Sequence, residues 1–408
     1  MFIINIFLYI YVLFFEQMNI NWSGNYVYII WMIQLIILLD CINSKGITLQ
    51  YELFYGKYNF ATVIKGKQDL AYSLKIDLSS PYTVVEGLEF DYKDIIEEKK
   101  LMSTYYLPIP SVKIEREFQL NHLTIPLHIY NIKDAQYFKI LTQSLGLSPK
   151  IENEDLSLVY KLKNLNYTDK LIFGFEPYLK IINSFYIGDK PHSFSPDYPY
   201  YSFCKIKPSY STWGCLLRKV FFDGYSRENY YSIESYAFFQ SNTNEILVPK
   251  SFMSCLKETV LQQYIDNKKC IDIKVGMLTD NYGYINCDCE VLAKLPKINF
   301  LLGDYIHSFN MSDLFEVSES SINSEFCKLI IQPNQQEDIW VFGTSFLGQY
   351  YSFFDYDNHL VEFYSKSNTP LFITNESRTI IGIYVIAILI MCINTILLGI
   401  EKKGINTM

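Results

Sequence analysis

Short segments in which apolar and polar residues alternate recur along the middle of the chain, and they restrict the fold more than any other feature. Successive side chains of a strand point to opposite faces, so this alternation predicts half-buried β-strands. The clearest segments lie between turn residues, at 58–66, 71–77, 122–132, 170–175, 215–224 and 297–304. An amphipathic window at 251–269, just after Pro249, predicts a helix, and the charged stretch Asp91–Lys100 is interpreted as a solvated loop or short helix. The sequence therefore predicts an all-β fold with few helices.

The run from Thr379 to Ile400 contains no charged residue and is long enough to cross a bilayer as a helix. A buried core helix of this length would be expected to show a polar face, which this run lacks. Lys402 and Lys403 follow it, and a short basic tail favours a cytoplasmic C-terminus. We therefore predict a transmembrane helix at 379–400, a cytoplasmic tail at 401–408 and a single-pass, type I membrane protein.

Two shorter apolar runs occupy the N-terminal region, Phe2–Phe15 and Tyr26–Leu39. Residues 1–44 are predicted to be a signal peptide, with Met18 as an alternative start, or a signal anchor that stays in the membrane. Both alternatives place the bulk of the chain in the secretory lumen or outside the cell. Three sequons fit that compartment and are candidate glycosylation sites, namely Asn166, Asn310 and Asn375.

The nine cysteines include seven between the terminal apolar segments. An oxidising lumen would pair most of them and leave one over. Their spacing suggests Cys204 with Cys215 as a hairpin pair and Cys255 with Cys270 around the predicted helix. Cys287-Asp288-Cys289 has no second cysteine pair or histidine cluster to complete a metal site, so we expect neither a metal nor another cofactor.

The charge of the chain argues against one large class of partner. With 43 acidic and 35 basic residues the formal net charge is −8, so the basic surface expected of a nucleic-acid-binding protein is missing. The five histidines lack ligand spacing, and the glycine-rich phosphate loops and the Gly-x-Ser-x-Gly motif are absent from the sequence.

Several segments together resemble the pepsin-like aspartic proteases. Residues 339–364, IWVFGTSFLGQYYSFFDYDNHLVEFY, are similar to the closing segment of that family, and 295–300 resembles its Leu-Pro-x-Ile-x-Phe strand. Residues 213–224 resemble the strand pair before the second catalytic motif. Residues 144–147 and 171–175 resemble the strand that crosses behind the first motif and the strand that connects the lobes.

The resemblance covers about residues 47–366 and implies two β-rich lobes around a substrate cleft. We expect an N-terminal lobe at 45–184, a C-terminal lobe at 185–366 and a juxtamembrane linker at 367–378. The family's C-lobe disulfide implies a Cys289–Cys327 bond. The family flap implies a substrate-binding tyrosine, assigned to Tyr105, although Leu-Pro-Ile-Pro stands where flexible glycines are expected and predicts a stiffer hairpin or none.

Each family lobe supplies one Asp-Thr/Ser-Gly loop, and the two aspartates share a proton to activate water. Here the first motif aligns at Asp77, Leu78 and Ser79, and the second at Gln240, Ser241 and Asn242. A glutamine amide cannot accept or give a proton at physiological pH, so the predicted catalytic pair is lost. Asp77 is then a remnant, and Glu245 and Glu234 do not align as its replacement partner. The cleft positions predicted to contact a peptide are Tyr105, Ser79, Ser80, Asn242 and Thr243.

Three hypotheses follow. The first is an inactive, membrane-anchored protease homologue that binds a peptide or protein in its cleft or on its surface. The second is an active or divergent aspartic endopeptidase that uses Asp77 with an unrecognised partner group. The third is a structural ectodomain that holds a membrane complex together.

Overall fold

The computed structural model describes a large part of the middle of the chain. The described residues are 45–54, 57–65, 69–86, 88–102, 108–121, 123–132, 143–149, 157–177, 182–190, 198, 200–207, 212–224, 231–275, 282–317, 326–334, 339–365 and 371–373. The predicted signal segment 1–44, linker 367–378, transmembrane helix 379–400 and tail 401–408 lie outside them, as do Tyr105 and Asn375. Within the described residues, the helices are too short or too polar to cross a membrane.

The structure is mostly β, as the alternating segments predict. The described strands, numbered in chain order, are β1 Ile47–Phe54, β2 Lys57–Lys65, β3 Leu70–Asp77, β4 Val84–Glu86, β5 Ile95–Met102, β6 Pro108–Leu120, β7 Leu123–Ile132, β8 Ser144–Gly146, β9 Ile172–Phe175, β10 Ile182–Ile187, β11 Tyr200–Lys205, β12 Gly214–Phe222, β13 Tyr231–Phe239, β14 Ile246–Val248, β15 Cys270–Val275, β16 Tyr282–Asp288, β17 Lys297–Leu302, β18 Tyr305–Asn310, β19 Phe315–Val317, β20 Phe326–Leu329, β21 Ile331–Pro333, β22 Trp340–Phe342, β23 Tyr351–Asp355, β24 Leu360–Ser365 and β25 Leu371–Ile373. All six predicted strand segments correspond to strands, with ends that differ by one or two residues.

Helices are short. They are α1 Leu158–Asn164, α2 Lys250–Leu256, α3 Gln262–Asp266 and α4 Thr344–Leu347, with 3₁₀ turns at Tyr92–Asp94, Cys289–Lys294 and Met311–Leu314. The helix predicted at 251–269 is present as α2 and α3, which a π-helical segment, Lys257–Leu261, joins. Its end is near Lys268, which has a φ of 56° and so leaves the helical conformation.

The charged stretch Asp91–Lys100 differs from its prediction as a loop or short helix. After one 3₁₀ turn it forms β5, which pairs with β6 and lies at the end of a sheet. Charged side chains are common on such edge strands because they discourage further pairing, so the absence of an apolar face did not exclude a strand.

The strands form three sheets. The largest has thirteen strands in the order β11-β24-β23-β9-β10-β1-β2-β3-β8-β4-β7-β6-β5, and the second has eight in the order β21-β14-β22-β13-β12-β17-β18-β25. A four-stranded sheet, β15-β16-β20-β19, lies beside the second. The thirteen-stranded sheet therefore contains strands from both halves of the chain, joined where β9 pairs with β23.

One continuous apolar core runs through both halves. At their junction Phe173 of β9 stacks on Phe354 of β23 with ring centroids 4.9 Å apart, and Trp213 lies edge-on to both rings. All three side chains are fully buried. Burial of aromatic side chains of this size contributes several kcal/mol, so the junction stabilises the packing of the two halves of the chain against each other.

Three disulfides lie in the C-terminal half. The predicted bonds Cys204–Cys215 and Cys289–Cys327 are present. The predicted bond between Cys255 and Cys270 is wrong, because Cys270 bonds to Cys287 and Cys255 is a half-buried free thiol. The reason is strand register: Cys270 and Cys287 are direct cross-strand partners in β15 and β16, whereas Cys255 is on α2.

Candidate active site

Two copies of one strand arrangement bring Asp77 and Gln240 together. β3 ends at Asp77, β8 lies parallel beside it, and β4 lies on the other side of β8. β13 ends one residue before Gln240, and β22 and β14 repeat the parallel and antiparallel pairings. Each predicted motif is therefore a loop that connects β3 to β4 or β13 to β14. The loop passes the end of the strand that lies between the two, β8 or β22, which we call the crossing strand.

A glycine at the end of each crossing strand leaves room for the backbone of the loop that passes it. A Cβ atom on Gly146 would lie 2.5 Å from the Tyr82 carbonyl oxygen, and one on Gly343 would lie 2.4 Å from the Glu245 carbonyl oxygen. Real Cβ atoms do not approach backbone oxygens so closely, so only glycine allows the loop to lie against the crossing strand. In the sequence, Gly343 is recognisable because it directly follows the apolar triplet Trp340–Phe342.

Backbone hydrogen bonds fix both loops on their crossing strands. Leu147 N donates to Asp77 O at 2.8 Å, and Gln240 N donates to Phe342 O at 3.0 Å. Ser148 N donates to Ser80 O at 3.1 Å, and Thr344 N donates to Thr243 O at 2.8 Å. Both candidate positions therefore have a defined backbone even though their side chains differ.

The Asp77 carboxylate bonds within its own loop. Its Oδ1 accepts from Ser79 N at 2.8 Å and from Ser79 Oγ at 2.6 Å. Both donors belong to the residue that stands where the family motif has glycine, and together they form an Asx-type turn. Asp77 is half-buried, so this carboxylate is held by its own loop and is still partly accessible to solvent.

Ser241 links the two loops. Its fully buried Oγ donates to Ile76 O at 2.6 Å, and Ser241 O accepts from Tyr58 N at 3.2 Å. Ile76 directly precedes Asp77 and Ser241 directly follows Gln240, so this bond places the two candidate positions side by side. In the first loop the corresponding position is Leu78, whose side chain is buried but has no hydroxyl to return the bond.

The link that Ser241 makes was not predicted from the sequence. The alignment of Ser241 with the Thr/Ser position of the family motif was the signal that could have indicated it. A second link between the halves was also missed: the Trp213 indole Nε1 donates to Leu147 O at 2.6 Å, next to the first crossing strand. A buried indole N–H group usually finds a hydrogen-bond acceptor. A tryptophan that is expected to be buried therefore predicts a hydrogen bond, but the sequence does not indicate which residue accepts it.

The remaining predicted cleft residues lie on the same two loops. Ser80 Oγ accepts from Tyr82 N at 3.1 Å, and the Thr243 hydroxyl bonds to the Glu245 carboxylate. Ser80, Asn242 and Thr243 are half-buried. The structure thus brings Asp77, Ser79, Ser80, Gln240, Asn242 and Thr243 together, while Tyr105 lies outside the described residues.

The two acids nearest to Gln240 in sequence do not replace its missing carboxyl group. Glu234 is exposed on β13, six residues earlier, which is about 20 Å along an extended strand. Glu245 lies on the far side of crossing strand β22, about two strand spacings or 10 Å from Gln240, and its carboxylate bonds to Thr243. Neither carboxyl group is positioned to share a proton with Asp77.

Two paired strands occupy the place of the predicted flap. β5 and β6 pair up to Met102 and Pro108, and Pro110 pairs with Lys100. The arms of a hairpin are therefore present despite the prolines, and the tip between them, 103–107, lies outside the described residues. Pro108 and Pro110 lie at the end of β6 that pairs with β5 but precedes its described pairing with β7, which begins at Ser111. A strand segment that is paired on one side tolerates proline, which lacks a backbone donor.

The arrangement agrees with the comparisons to known proteins. Residues 208–366 match the family model described as eukaryotic aspartyl protease. Bovine chymosin is 28% identical over 87 residues, 21% of this chain and 22% of chymosin, and gastricsin of Callithrix jacchus is 24% identical over 135 residues, 31% of this chain and 29% of gastricsin. The chain therefore matches between a fifth and a third of the length of these curated relatives.

The fold likeness is more extensive than the sequence likeness. The structure of this chain superimposes on the aspartic proteinase from Irpex lacteus with a TM-score of 0.58, covering 79% of this chain and 98% of that protein at 16% identity. At this identity the superposition shows a common fold, and it extends over both halves of the chain.

Proposed function

The chain belongs to the pepsin-like aspartic protease family, and we propose that it acts as a membrane-anchored, catalytically inactive member that binds a peptide or protein. The observation that carries the proposal is the side chain at the end of β13. Where the chemistry requires a second carboxyl group beside Asp77, the loop presents the neutral amide of Gln240.

Loss of turnover follows from the chemistry of the pair. Two adjacent carboxyl groups share one proton, so one acts as base while the other donates. An amide does neither, and removal of one member of a proton-transfer pair costs about a hundred- to ten-thousand-fold in rate.

Binding of an extended peptide does not require the pair of carboxyl groups that hydrolysis requires. The paired arms β5 and β6 and the hydrogen-bonded loops are both present, and we propose that an extended peptide binds between them. Backbone groups and small polar side chains such as Ser80, Asn242 and Thr243 are suited to hold an extended backbone, because such recognition relies on main-chain hydrogen bonds. We therefore assign the partner to the peptide or protein class.

The membrane part of the proposal rests on sequence. The uncharged run 379–400 follows the last described strand, β25, after a few residues. A type I orientation places the lobes in the secretory lumen or outside the cell, which is the compartment in which the three disulfides form. Glycosylation is proposed at Asn166 and Asn310, both exposed, and at Asn375.

The first test is cleavage. The full chain, purified in detergent, would be incubated with a diverse peptide library from acid to neutral pH beside its Asp77→Asn variant and an active pepsin-like enzyme. We expect no cleavage by either form of this protein. Cleavage that disappears in Asp77→Asn would contradict the proposal and establish an endopeptidase that uses Asp77 with another group.

The second test is binding by the cleft. The same library would be selected for retention on the full chain and on two tryptophan variants, Asn242→Trp in the cleft and Val317→Trp on an exposed strand of the C-terminal half, where the side chain is 64% exposed. We expect Asn242→Trp to abolish retention and Val317→Trp to preserve it. If no peptide is retained, or retention is lost only in Val317→Trp, the cleft is not the binding site and a structural ectodomain is the better description.

A further inference from the structure

Strand β11 presents two different faces. Ser202, Cys204 and the following Ile206 point inward and are buried, and the disulfide from Cys204 to Cys215 fixes the strand in this orientation. The alternate residues point outward: Tyr201 is 42% exposed, Phe203 is half-buried, and Lys205 and Lys207 are exposed. We call these four outward residues the β11 stripe. It has an aromatic half and a basic half.

The aromatic half continues onto neighbouring strands. Tyr201 lies 4.9 Å from Tyr364 of β24 between ring centroids, and Phe203 lies 5.6 Å from Tyr305 of β18. Tyr201 and Phe203 are themselves 5.8 Å apart. The result is a row of rings along one face of the molecule, each of them partly accessible to solvent.

This row ends beside the strand that leads to the predicted membrane segment. Tyr305 is the direct cross-strand partner of Ile373, the last residue of β25. Five residues separate Ile373 from Thr379, where the uncharged run begins, and a fully extended chain spans about 20 Å over the six steps between them. The start of the proposed membrane segment therefore lies within about 20 Å of Ile373, and Ile373 pairs with Tyr305 at the aromatic end of the row.

The chemistry of the stripe matches that surface. Tyrosine combines an apolar ring with a polar hydroxyl and is enriched at the boundary between lipid tails and headgroups. Lysines extend their charged ends towards lipid phosphates while their aliphatic stems lie against apolar groups. We propose that the β11 stripe, with Tyr305, lies against the headgroup region of the membrane and orients the two lobes relative to it.

The acidic group behind the stripe does not oppose this contact. The buried Glu362 carboxylate accepts from the Tyr364 hydroxyl at 3.1 Å and pairs with the Lys190 ammonium. At the edge of the stripe, Asp304 pairs with Arg218 at 3.1 Å. Both carboxylates are therefore paired with cations, and the exposed Lys205 contributes a positive charge on the outward face of the stripe.

The inference rests on the proposed membrane anchor, and one experiment separates the two. The full chain would be reconstituted in phosphatidylcholine vesicles that contain about 30% phosphatidylserine, with the photoreactive residue p-benzoylphenylalanine replacing one residue at a time. The test position is Tyr201. The matched control is its neighbour Tyr200, which is 38% exposed but on the opposite face, and the remote control is Tyr92, which is 88% exposed in the N-terminal half.

A fourth position, Ile388, tests the anchor itself because it lies in the middle of the uncharged run. We expect lipid cross-links from Ile388 and Tyr201 and none from Tyr200 or Tyr92. Lipid cross-links from Ile388 alone would overturn the stripe and leave the anchor intact. Labelling at neither position would overturn the anchor and the stripe together, and cross-links from Tyr201 to protein would assign this face to a protein partner.

The basic half of the stripe gives a second readout that does not depend on the photoreactive group being tolerated. Lys205→Gln removes one cation, so protection of Tyr201 from a water-soluble tyrosine-modifying reagent should fall about fivefold on the anionic vesicles. Lys93→Gln, which changes a lysine with an 80% exposed side chain in the N-terminal half, should leave that protection unchanged. Equal effects of the two variants would overturn the proposal.

Discussion

The loop after β3 and the loop after β13 share a backbone plan but have lost different parts of the polar set that the family motif predicts. The first retains its carboxylate, Asp77, and has Leu78 in place of the linking hydroxyl. The second retains the linking hydroxyl, Ser241, and has Gln240 in place of the carboxylate. What both retain is the crossing glycine and the backbone hydrogen bonds.

This difference separates what the fold requires from what hydrolysis requires. Gly146 and Gly343 make room for backbone atoms, and a larger residue at either position would prevent the loop from packing. Asp77 and Gln240 are half-buried side chains at the cleft, and their chemical identity has little effect on packing. The backbone arrangement of the loops can therefore be tested separately from the side chains that they carry, and the following variants do so.

The largest effect is expected at the crossing glycines. Gly146→Ala and Gly343→Ala each force a Cβ atom to within 2.5 Å of backbone oxygen, and we expect each to lower the free energy of unfolding by about 3 kcal/mol or more. Urea unfolding of the purified chain measures this. Gly224→Ala is the control: its φ is +80° but nothing lies near its Cβ position, so it should cost only about 1 kcal/mol. Equal losses in all three variants would show that the close approach is not the cause.

Acid is expected to weaken the second loop before the first. His307 is fully buried among the rings of Phe346, Tyr350 and Phe363, and burial lowers its pKa to about 3. Below the unfolded-state pKa of about 6.5 the unfolded chain binds a proton that the folded chain does not, so stability falls as the pH decreases from about 6.5 towards 3. At pH 5 the loss amounts to about 2 kcal/mol.

Hydrogen exchange locates that loss. Phe346 is in α4, which begins directly after Gly343, so amides of Ser241–Glu245 should exchange faster at pH 5, after correction for intrinsic rates, than those of Leu78–Ser80. His307→Phe keeps a ring in the aromatic cluster and removes the titrating group, and should abolish the pH dependence. An unchanged pH dependence in this variant would assign the effect to other groups.

A smaller effect is expected from the link between the loops. Ser241→Ala removes the hydroxyl that donates to Ile76 O and leaves that buried carbonyl without its donor, at a cost of about 1–2 kcal/mol. The measurement is again urea unfolding. A loss below the experimental error would mean that the two loops are held together without this bond.

The smallest effect is expected at Ser79, the counterpart in the first loop. Ser79→Ala removes one of two hydrogen bonds to a half-buried carboxylate and retains the backbone donor, so we expect a cost of about 0.5 kcal/mol. Ser79→Ala should therefore be clearly milder than Ser241→Ala when both are measured under the same conditions. The reverse order would show that the hydrogen bond within the first loop contributes more to the free energy of unfolding than the bond between Ser241 and Ile76.

Local patterns in the sequence predicted most of the architecture. Alternation located the strands, and the aligned segments located both loops, because each signal is contained within about ten consecutive residues. The bond from Ser241 to Ile76 joins residues 165 positions apart, and no local pattern contains that information. The same limit explains the wrong disulfide prediction. Cys255 is nearer to Cys270 in sequence, but strand register places Cys287 directly opposite Cys270, and these two form the bond.

The charged strand β5 illustrates a different limit. Its sequence, IIEEKKLM, has no regular alternation because the strand lies at an edge of the sheet, where charges face solvent on both sides of the backbone. Predictions from hydrophobic pattern describe the interior of a sheet better than its border. This limit matters because β5 and β6 stand where the family flap is expected.

The order of strands in the largest sheet has a consequence for how the protein is made. β9 pairs with β23, and their partners Phe173 and Phe354 are about 180 residues apart, so at about 5–20 residues per second β9 leaves the ribosome roughly 10–35 s before its partner does. During that interval the N-terminal half exposes an apolar strand edge with nothing to cover it. The pairing that joins the two halves can therefore form only after Phe354 has left the ribosome.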